Sequence, residues 1–525
     1  MSKKILISII ILLLLTTVIN IKTTYAKTNL KSSGKYNFII NVDDDGEIEV
    51  KINYHSDLNE GSSWVLVPKN FTSWTLKILK GEIESSKLKD AYTTTGEKYV
   101  FYSNFTYNYT GANGFEMQIT YQMDYGSIIV EPQCFFFSPQ IGFSTFDSGI
   151  VHIFFPKSAE LDMNKMQPKP EGIQEKPNAY VATFYLQNNI ARIAIEYTTT
   201  NQPNITRVES GIFTVETPTR YLDLAERLLK AYDKVYYKLT EIFAVNLTEV
   251  KVKFYAPTME DLWIGGYIPF NGTYLGEINL NLFYVRTSLG YWEQIAIHEL
   301  VHHFVWAAGI TPNLLWFHEG LAEYISFTLT LRAGWTGAEV NRERLEKLAE
   351  LLKPNLGFIQ DWKPGKAYGN IIMYYAASYE VVKEIAESHG GIQFYSKFFR
   401  QIRNLHNLTS TDVLIYYLSK CANEDLTPKF IQWHFNVVNV CAVHEAIKEG
   451  KTITNRQLPI AQPWLTIARK LLEQAEEALD RGDLREAIMK ALMGGFIAKT
   501  SLTLTLLTAI GVTLIIMRRI TREEI

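Results

Sequence analysis

Residues 298–324 form the stretch HELVHHFVWAAGITPNLLWFHEGLAEY. It holds four of the ten histidines in a chain of 525 residues, and it begins with His298-Glu299-x-x-His302. On an α-helix these two histidines stand one turn apart on the same face, so their imidazole nitrogens can converge on one ion, while Glu299 sits beside the open coordination position. The spacing therefore predicts a zinc site on this helix.

A second helix is expected after the break at Pro312, with Thr311 as its N-cap. Glu319 and Glu323 lie one turn apart on this second helix. Two helices in succession thus carry the histidines and the carboxylates that a metal site needs.

The remaining two histidines of the stretch are not expected to bind the ion. His303 is turned about 100° from His302 around the helix, so it packs or faces water. His318 points away from the face that carries Glu319 and is expected to be structural. The cluster therefore predicts one zinc site and two neighbouring histidines.

The paired motif resembles the gluzincin metallopeptidases, the thermolysin-like superfamily. Its EGLAEY segment is most similar to the branch that contains the membrane alanyl aminopeptidases, and the resemblance covers about residues 215–445. It implies one zinc ion per chain and a role for each of five residues: His298, His302 and Glu319 as ligands, Glu299 as the general base, and Glu323 as the carboxylate that orients a ligand histidine. The chemistry of these residue types agrees with those roles.

The sequence departs from that branch in two places. Sixteen residues separate His302 from Glu319, fewer than the branch usually has, which implies a shorter connection between the helices. The branch also carries a Gly-Ala-Met-Glu-Asn segment whose glutamate grips the free amine of the substrate, and nothing between Trp263 and Gly276 resembles it; the nearest acid is Glu277. We therefore favour an endopeptidase over an aminopeptidase, with peptide pairing along a predicted edge strand at 274–283.

The resemblance also implies a tyrosine on a later helix that stabilises the oxyanion. Counting back from Gly390 through Ile385, as the family spaces these positions, gives Tyr375. Tyr374 would face about 100° away on the same helix, so only one of the pair can point at the zinc. Packing of both tyrosines in an apolar helix is the alternative.

Both ends of the chain carry uncharged apolar runs. The first follows Met-Ser-Lys-Lys and precedes Thr24-Tyr25-Ala26, which predicts a secretory signal peptide at 1–26, with an uncleaved anchor as the alternative. The second, at 500–517, precedes Arg518-Arg519, which predicts a transmembrane helix and a cytoplasmic tail at 518–525. We expect a single-pass protein of the cell membrane whose catalytic domain is extracellular.

The chain changes character twice between these ends. Short alternating stretches from about 35 to 197 predict an antiparallel β domain, and helical spacing begins at Tyr221, after a polar linker at 198–203. The predicted fold class is α+β: an N-terminal antiparallel β domain, a mainly helical thermolysin-like domain with a small edge-strand sheet, a helical hairpin and a C-terminal transmembrane helix. The corresponding boundaries are 27–200, 215–450, 460–495 and 500–517.

Composition limits the partners. Lys plus Arg number 52 and Asp plus Glu 55, and no basic run would follow a phosphate backbone, so nucleic acid is not an expected partner. Cys421 and Cys441 could pair, which would leave Cys134 odd. Seven sequons permit glycosylation outside the cell, at Asn70, Asn104, Asn108, Asn204, Asn246, Asn271 and Asn407.

The sequence thus predicts a membrane-anchored zinc metallopeptidase that acts on peptides or proteins. Two alternatives stay open: a cell-surface binding or assembly protein with a silent site, and a zinc hydrolase of a non-peptide bond. The intact Glu299 argues against the first, because a silent site needs no base beside the metal. Substrate profiling is needed to test the second, a zinc hydrolase of a non-peptide bond. The sequence indicates no oligomeric state.

Overall fold

The computed structural model describes residues 34–186, 189–272, 274–366, 369–405 and 408–523. The predicted signal peptide and the sequon at Asn407 lie outside these residues.

An N-terminal β domain occupies the first part of the described chain. Its largest sheet has seven strands in the order β13-β14-β11-β1-β2-β7-β4. The other strands form sheets of four (β12-β16-β9-β8), three (β3-β6-β5) and two (β10-β15). The strand bounds are β1 Lys35–Val42, β2 Ile48–Ser56, β3 Glu60–Pro68, β4 Trp74–Lys80, β5 Glu82–Tyr92, β6 Lys98–Thr110, β7 Phe115–Met123, β8 Ser127–Val130, β9 Gln133–Phe137, β10 Ile141–Gly142, β11 Ser148–Phe155, β12 Ala159–Gln167, β13 Gly172–Glu175, β14 Tyr180–Leu186, β15 Ile190–Ala191 and β16 Ala194–Thr199.

Alternating side chains explain why these segments are strands. In β1 every second residue is buried, and Tyr36, Phe38 and Ile40 face the core of the domain, as expected for a strand with one buried face. The expectation of a purely antiparallel domain is wrong in one place, because β1 pairs with β11 in parallel. Strand direction is set by long-range pairing, which the alternation of a single strand does not encode.

A mixed five-stranded sheet leads into the helical domain, in the order β17-β18-β19-β21-β20. Its strands are β17 Ile205–Ser210, β18 Phe213–Pro218, β19 Val250–Tyr255, β20 Gly266–Tyr267 and β21 Ile278–Asn281. The predicted edge strand at 274–283 is wrong on two counts. The strand covers only Ile278–Asn281, and it lies inside the sheet, between β19 and the edge strand β20.

Helices build the rest of the domain and the C-terminal hairpin. Their bounds are α1 Leu222–Phe243, α2 Tyr291–Ala307, α3 Leu315–Arg332, α4 Ala338–Leu352, α5 Ile371–Ser388, α6 Ile392–Ile402, α7 Thr411–Ala422, α8 Thr427–Gln432, α9 Val440–Arg456, α10 Gln462–Asp480 and α11 Leu484–Glu523. Short 3-10 helices span Thr219–Tyr221, Leu282–Arg286, Gly357–Asp361 and Pro459–Ala461.

The connection between α2 and α3 differs from the prediction. Helix α3 begins at Leu315, its N-cap is Leu314, and no side chain caps it. Thr311 is therefore not the N-cap. Its hydroxyl donates instead to the carbonyl of Leu408 at 3.2 Å, which ties the turn to a distant loop.

Contacts at the junction join the β domain to the helical domain. The hydroxyl of Tyr221 accepts from the backbone N–H of Ile129 at 2.8 Å. The guanidinium of Arg220 pairs with Glu131, whose side chain is 2% exposed. A buried carboxylate needs such a partner, because burial of an unpaired charge is costly.

Helices α10 and α11 form a hairpin, but its second helix does not end near 495 as predicted. Helices α10 and α11 pack together and are joined by the turn at Arg481-Gly482-Asp483. Helix α11 then continues without a break through the apolar run, and over 484–520 it is long and apolar enough to cross a membrane. Only 6% of its most apolar stretch of 18 residues is buried against the described rest of the chain.

The pairing of Cys421 with Cys441 is not formed, and all three cysteines are free thiols. Cys421 is buried and its thiol donates to the carbonyl of Phe394, while Cys441 is exposed and its thiol donates to Asp425. The two side chains lie in different environments, although both belong to the same part of the sequence.

Candidate metal centre

Helices α2 and α3 bring three potential ligand atoms together. His298 Nε2 lies 3.2 Å from His302 Nε2, and Glu319 Oε2 lies 3.1 Å from the first and 3.4 Å from the second. Two ligands come from α2 and one from α3, as the i, i+4 spacing of the histidines requires. These three residues form the one group of potential metal ligands with converging atoms among the residues that the structure describes.

The distances suit a tetrahedral zinc ion. Ligand atoms about 2.1 Å from such an ion lie about 3.4 Å apart, and the three distances here are 3.1, 3.2 and 3.4 Å. Two imidazoles and one carboxylate, with one position left open, are also the ligand set of catalytic zinc sites. The residues present therefore fit a zinc ion.

The charges around these ligands favour a cation. The carboxylates of Glu299, Glu319 and Glu323 are all buried next to His298. Burial opposes the charge of Glu319, but His302 and His298 beside it hold the pKa of this carboxyl well below its usual range. Three acidic side chains against two imidazoles leave an excess of negative charge that a divalent cation would neutralise.

Glu299 lies beside the ligand set but does not belong to it. Burial raises the pKa of its carboxyl, which makes it a better proton acceptor than an exposed glutamate. It lines both cavities that meet at the centre. Gly266 of β20 passes so close that a Cβ there would lie 2.8 Å from Glu299 Cγ.

Glu323 lies behind the ligands. Its Oε2 is 3.7 Å from Nδ1 of His298, the imidazole nitrogen that faces away from the other two ligands. Gln294 donates to the same oxygen at 3.0 Å and to Ser326 at 2.9 Å. The sequence analysis did not identify Gln294 as a residue of this site. Its position one turn before His298 on α2 could have indicated it.

The two tyrosines of α5 have different surroundings. The ring of Tyr375 lies 6.3 Å from the ring of His298, and Tyr375 lines both cavities. Tyr374 is 5% exposed and packs against Phe358 and Trp362 in the core. Burial, with the nearby carboxylates, raises the pKa of Tyr375 well above its usual value, so its hydroxyl keeps its proton and can donate a hydrogen bond.

His303 and His318 stay outside the ligand set. His318 is buried, its Nε2 donates to the carbonyl of Ile310 at 3.0 Å, and its ring stacks on His302 at 5.7 Å. Burial lowers the pKa of His318 to about 3 and that of His303 to about 4. Both imidazoles are therefore neutral, and His318 supports His302 from behind.

Two cavities of about 420 and 920 Å³ meet at the centre. They share Gly266, His298, Glu299 and Tyr375 in their walls. The larger one is mainly apolar; its apolar wall includes Ile268, Phe270, Leu275, Leu315 and Trp362. The smaller one is more polar, and its wall includes Asn341 and Arg344. Among the described residues that line them, the only acids are Glu299, Glu319 and Glu323.

Comparisons with models of protein families and with curated proteins find no match. Among solved structures, the chain is similar to native leukotriene A4 hydrolase from Saccharomyces cerevisiae, with 11% sequence identity and a TM-score of 0.33, over 84% of this chain and 76% of that one. A TM-score of this size does not define a fold. The distances at the metal centre are the basis for the function proposed below.

Proposed function

We propose that the protein is a membrane-anchored zinc metallopeptidase of the gluzincin type, which hydrolyses internal peptide bonds of peptides or proteins. The observation that carries this proposal is the convergence of His298, His302 and Glu319 at 3.1–3.4 Å, with Glu299 beside them. The boundaries predicted for the β domain, the peptidase domain and the hairpin belong to the same proposal.

Each side chain has one task in this mechanism. Zinc, when bound, polarises the scissile carbonyl and makes water nucleophilic at neutral pH. Glu299 accepts the proton of the attacking water and passes it to the leaving amine. Tyr375 donates a hydrogen bond to the oxyanion that forms on the substrate. Glu323 fixes the ring of His298 through its outer nitrogen.

Two features support internal cleavage. The only acids in the cavity walls belong to the metal centre and its surroundings, so no additional carboxylate among the described lining residues binds the free amine of a substrate. Strand β20 pairs with β21 on one side, and its other edge can pair with an extended peptide that runs from one cavity into the other.

The experiment combines metal analysis with cleavage by the full-length chain in neutral detergent. We expect about one zinc per chain, loss of zinc in His302→Ala, and retained zinc without activity in Glu299→Gln. His444→Ala is the matched control, because His444 is exposed and distant from the centre in the sequence. Metal-free wild-type protein that is folded and active would overturn the proposal.

A second measurement separates the modes of cleavage. N-acetylated peptides should be cut at internal bonds at least as well as their free counterparts. Stepwise release of N-terminal residues, abolished by acetylation, would instead show an aminopeptidase. A mixed panel of esters and amides without peptide bonds tests the remaining alternative, a zinc hydrolase of other bonds.

Exposed apolar side chains on α11 support the membrane anchor. Leu506, Leu507, Ile510, Leu514 and Ile515 are all more than half exposed, and hydrocarbon is the environment that such a helix requires. The full chain should fractionate with membranes and resist extraction at high pH, whereas a chain that ends at residue 499 should be soluble. Protease accessibility of the β domain in intact cells tests the extracellular orientation.

A further inference from the structure

A separate cavity of about 360 Å³ lies at the junction of the two domains. The β domain contributes Phe71, Tyr102 and Arg192 to its wall, and the helical domain contributes Phe283 and Arg286. Apart from the two arginines the wall is largely apolar and aromatic, and its size falls in the lower part of the range of small-molecule sites. It shares no residue with the two cavities of the metal centre.

Arg286 brings a positive charge into this junction, and no carboxylate of the described residues forms an ion pair with it. One of its terminal nitrogens donates to the carbonyl of Phe137 at 2.9 Å, and Nη1 is buried with no partner among the described residues. The guanidinium lies against the rings of Phe137 and Phe283, at 5.7 and 5.4 Å. Burial lowers the pKa of Arg286 to about 10, so the group is still charged at neutral pH.

Arg192 adds a second charge beside the same ring. Its guanidinium lies 4.9 Å from the centre of Phe137, and it donates to the side chain of Gln140 at 2.8 Å. Neither Arg192 nor Arg286 forms an ion pair with any carboxylate in the described part of the chain. Two like charges beside one aromatic ring repel each other, and no carboxylate of the described residues pairs with either of them.

We propose that this cavity binds a small organic carboxylate with an aromatic or aliphatic body. The carboxylate compensates the two guanidinium groups, which recognise planar anions through paired hydrogen bonds. The apolar body fills the space lined by Phe71, Tyr102 and Phe283. An inorganic anion has no apolar group that can pack against the apolar wall. A neutral analogue leaves the charges of the two arginines without a counter-charge. Each should therefore bind more weakly than the carboxylate.

The test is calorimetric titration of the full-length chain in neutral maltoside detergent. The probes are 3-phenylpropionate, its uncharged amide of the same shape, and inorganic phosphate. We expect the acid to bind more tightly than the amide or phosphate by on the order of 10- to 100-fold, the range for hydrogen bonds to charged groups. Equal binding of acid and amide, or no binding of the acid at millimolar concentration, would overturn the proposal.

Variants locate the binding. Arg286→Met and Arg192→Gln should each weaken binding of the acid about 10-fold or more. Arg207→Gln is the control and should not weaken it, because Arg207 is a surface arginine paired with Glu209. If Arg286→Met does not fold, Arg192→Gln decides, because the side chain of Arg192 is exposed and substitutions at exposed positions usually change stability little. His302→Ala should bind the acid normally. Loss of binding in His302→Ala, with normal binding in both junction variants, would place the carboxylate at the metal centre and refute the proposal.

Discussion

The close approach of β20 to the general base makes Gly266 a sensitive position. A Cβ at Gly266 would lie 2.8 Å from Cγ, 2.9 Å from Oε1 and 3.0 Å from Cδ of Glu299. Carbon atoms in contact prefer a separation of about 3.5 Å. Gly266→Ala therefore requires Glu299 to move by about 0.7 Å, the difference between 3.5 Å and the distance of 2.8 Å.

This shift should cost activity without loss of metal. A displacement of about 1 Å at a catalytic group can cost 100-fold in rate, so we expect Gly266→Ala to lower kcat/KM by about 10- to 100-fold. The three nearest atoms to the added methyl group all belong to Glu299. Zinc content should therefore equal that of the wild type.

Gly265→Ala is the matched control one residue away. Its Cβ would meet Ile295, with the nearest atom at 3.0 Å, and that aliphatic side chain has no role in the chemistry. We expect a much smaller loss of kcat/KM in peptide cleavage by this variant. Equal losses in the two variants, or wild-type activity in Gly266→Ala, would show that the position of Glu299 does not control the reaction.

Three further substitutions test other contacts. Arg220→Met leaves the buried Glu131 unpaired, so it should destabilise the protein by about 3–5 kcal/mol; a thermal melt measures this, and a wild-type melting temperature would show that the pair does not matter. Gly320→Ala places a Cβ 2.4 Å from a backbone carbonyl of α5 and should cost about 1–3 kcal/mol, seen as a lower melting temperature, whereas an unchanged one would contradict the tight packing of α3 on α5. Tyr375→Phe should lower kcat by about 100- to 1,000-fold with zinc content unchanged, while Tyr374→Phe, in the core, should do far less; equal small losses would refute the role of Tyr375.

The sequence could predict that His298, His302 and Glu319 converge, because most of this geometry is local. Residues four apart on one helix must share a face, and this fixes the relation of His298 to His302 and of Glu319 to Glu323. Only the packing of the two helices against each other is a tertiary contact. The paired motif indicated this contact, because its histidines and its carboxylates lie on successive helices. The same logic separated Tyr375 from Tyr374 by about 100°, but it could not say which of them faces the histidines.

The edge of the five-stranded sheet could not be predicted in the same way. Apolar and polar residues alternate well over 274–283. Such alternation shows that the two faces of a strand differ, but it does not show which strands lie beside it in the sheet. The actual edge strand, Gly266–Tyr267, has two residues, and its glycine disfavours strand structure. What makes it a strand is its pairing with β21, which the local sequence does not contain.

The arginines at the domain junction carried no sequence signal for a related reason. Arg192 and Arg286 are 94 residues apart in the chain, and they lie against the same ring, that of Phe137, only because the two domains meet there. No spacing rule applies to such a pair.

The metal centre and the junction share one physical property, an excess of one sign of charge in a partly buried place. At the metal centre three carboxylates surround two imidazoles, and at the junction two guanidinium groups form no ion pair with a carboxylate in the part of the chain that the structure describes. Buried charges persist in proteins when they are paired or bind an ion. The two sites therefore call for ligands of opposite charge, a cation between α2 and α3 and an anion between the two domains. Each ligand should stabilise the elements that surround it, and a ligand of higher affinity should stabilise them more.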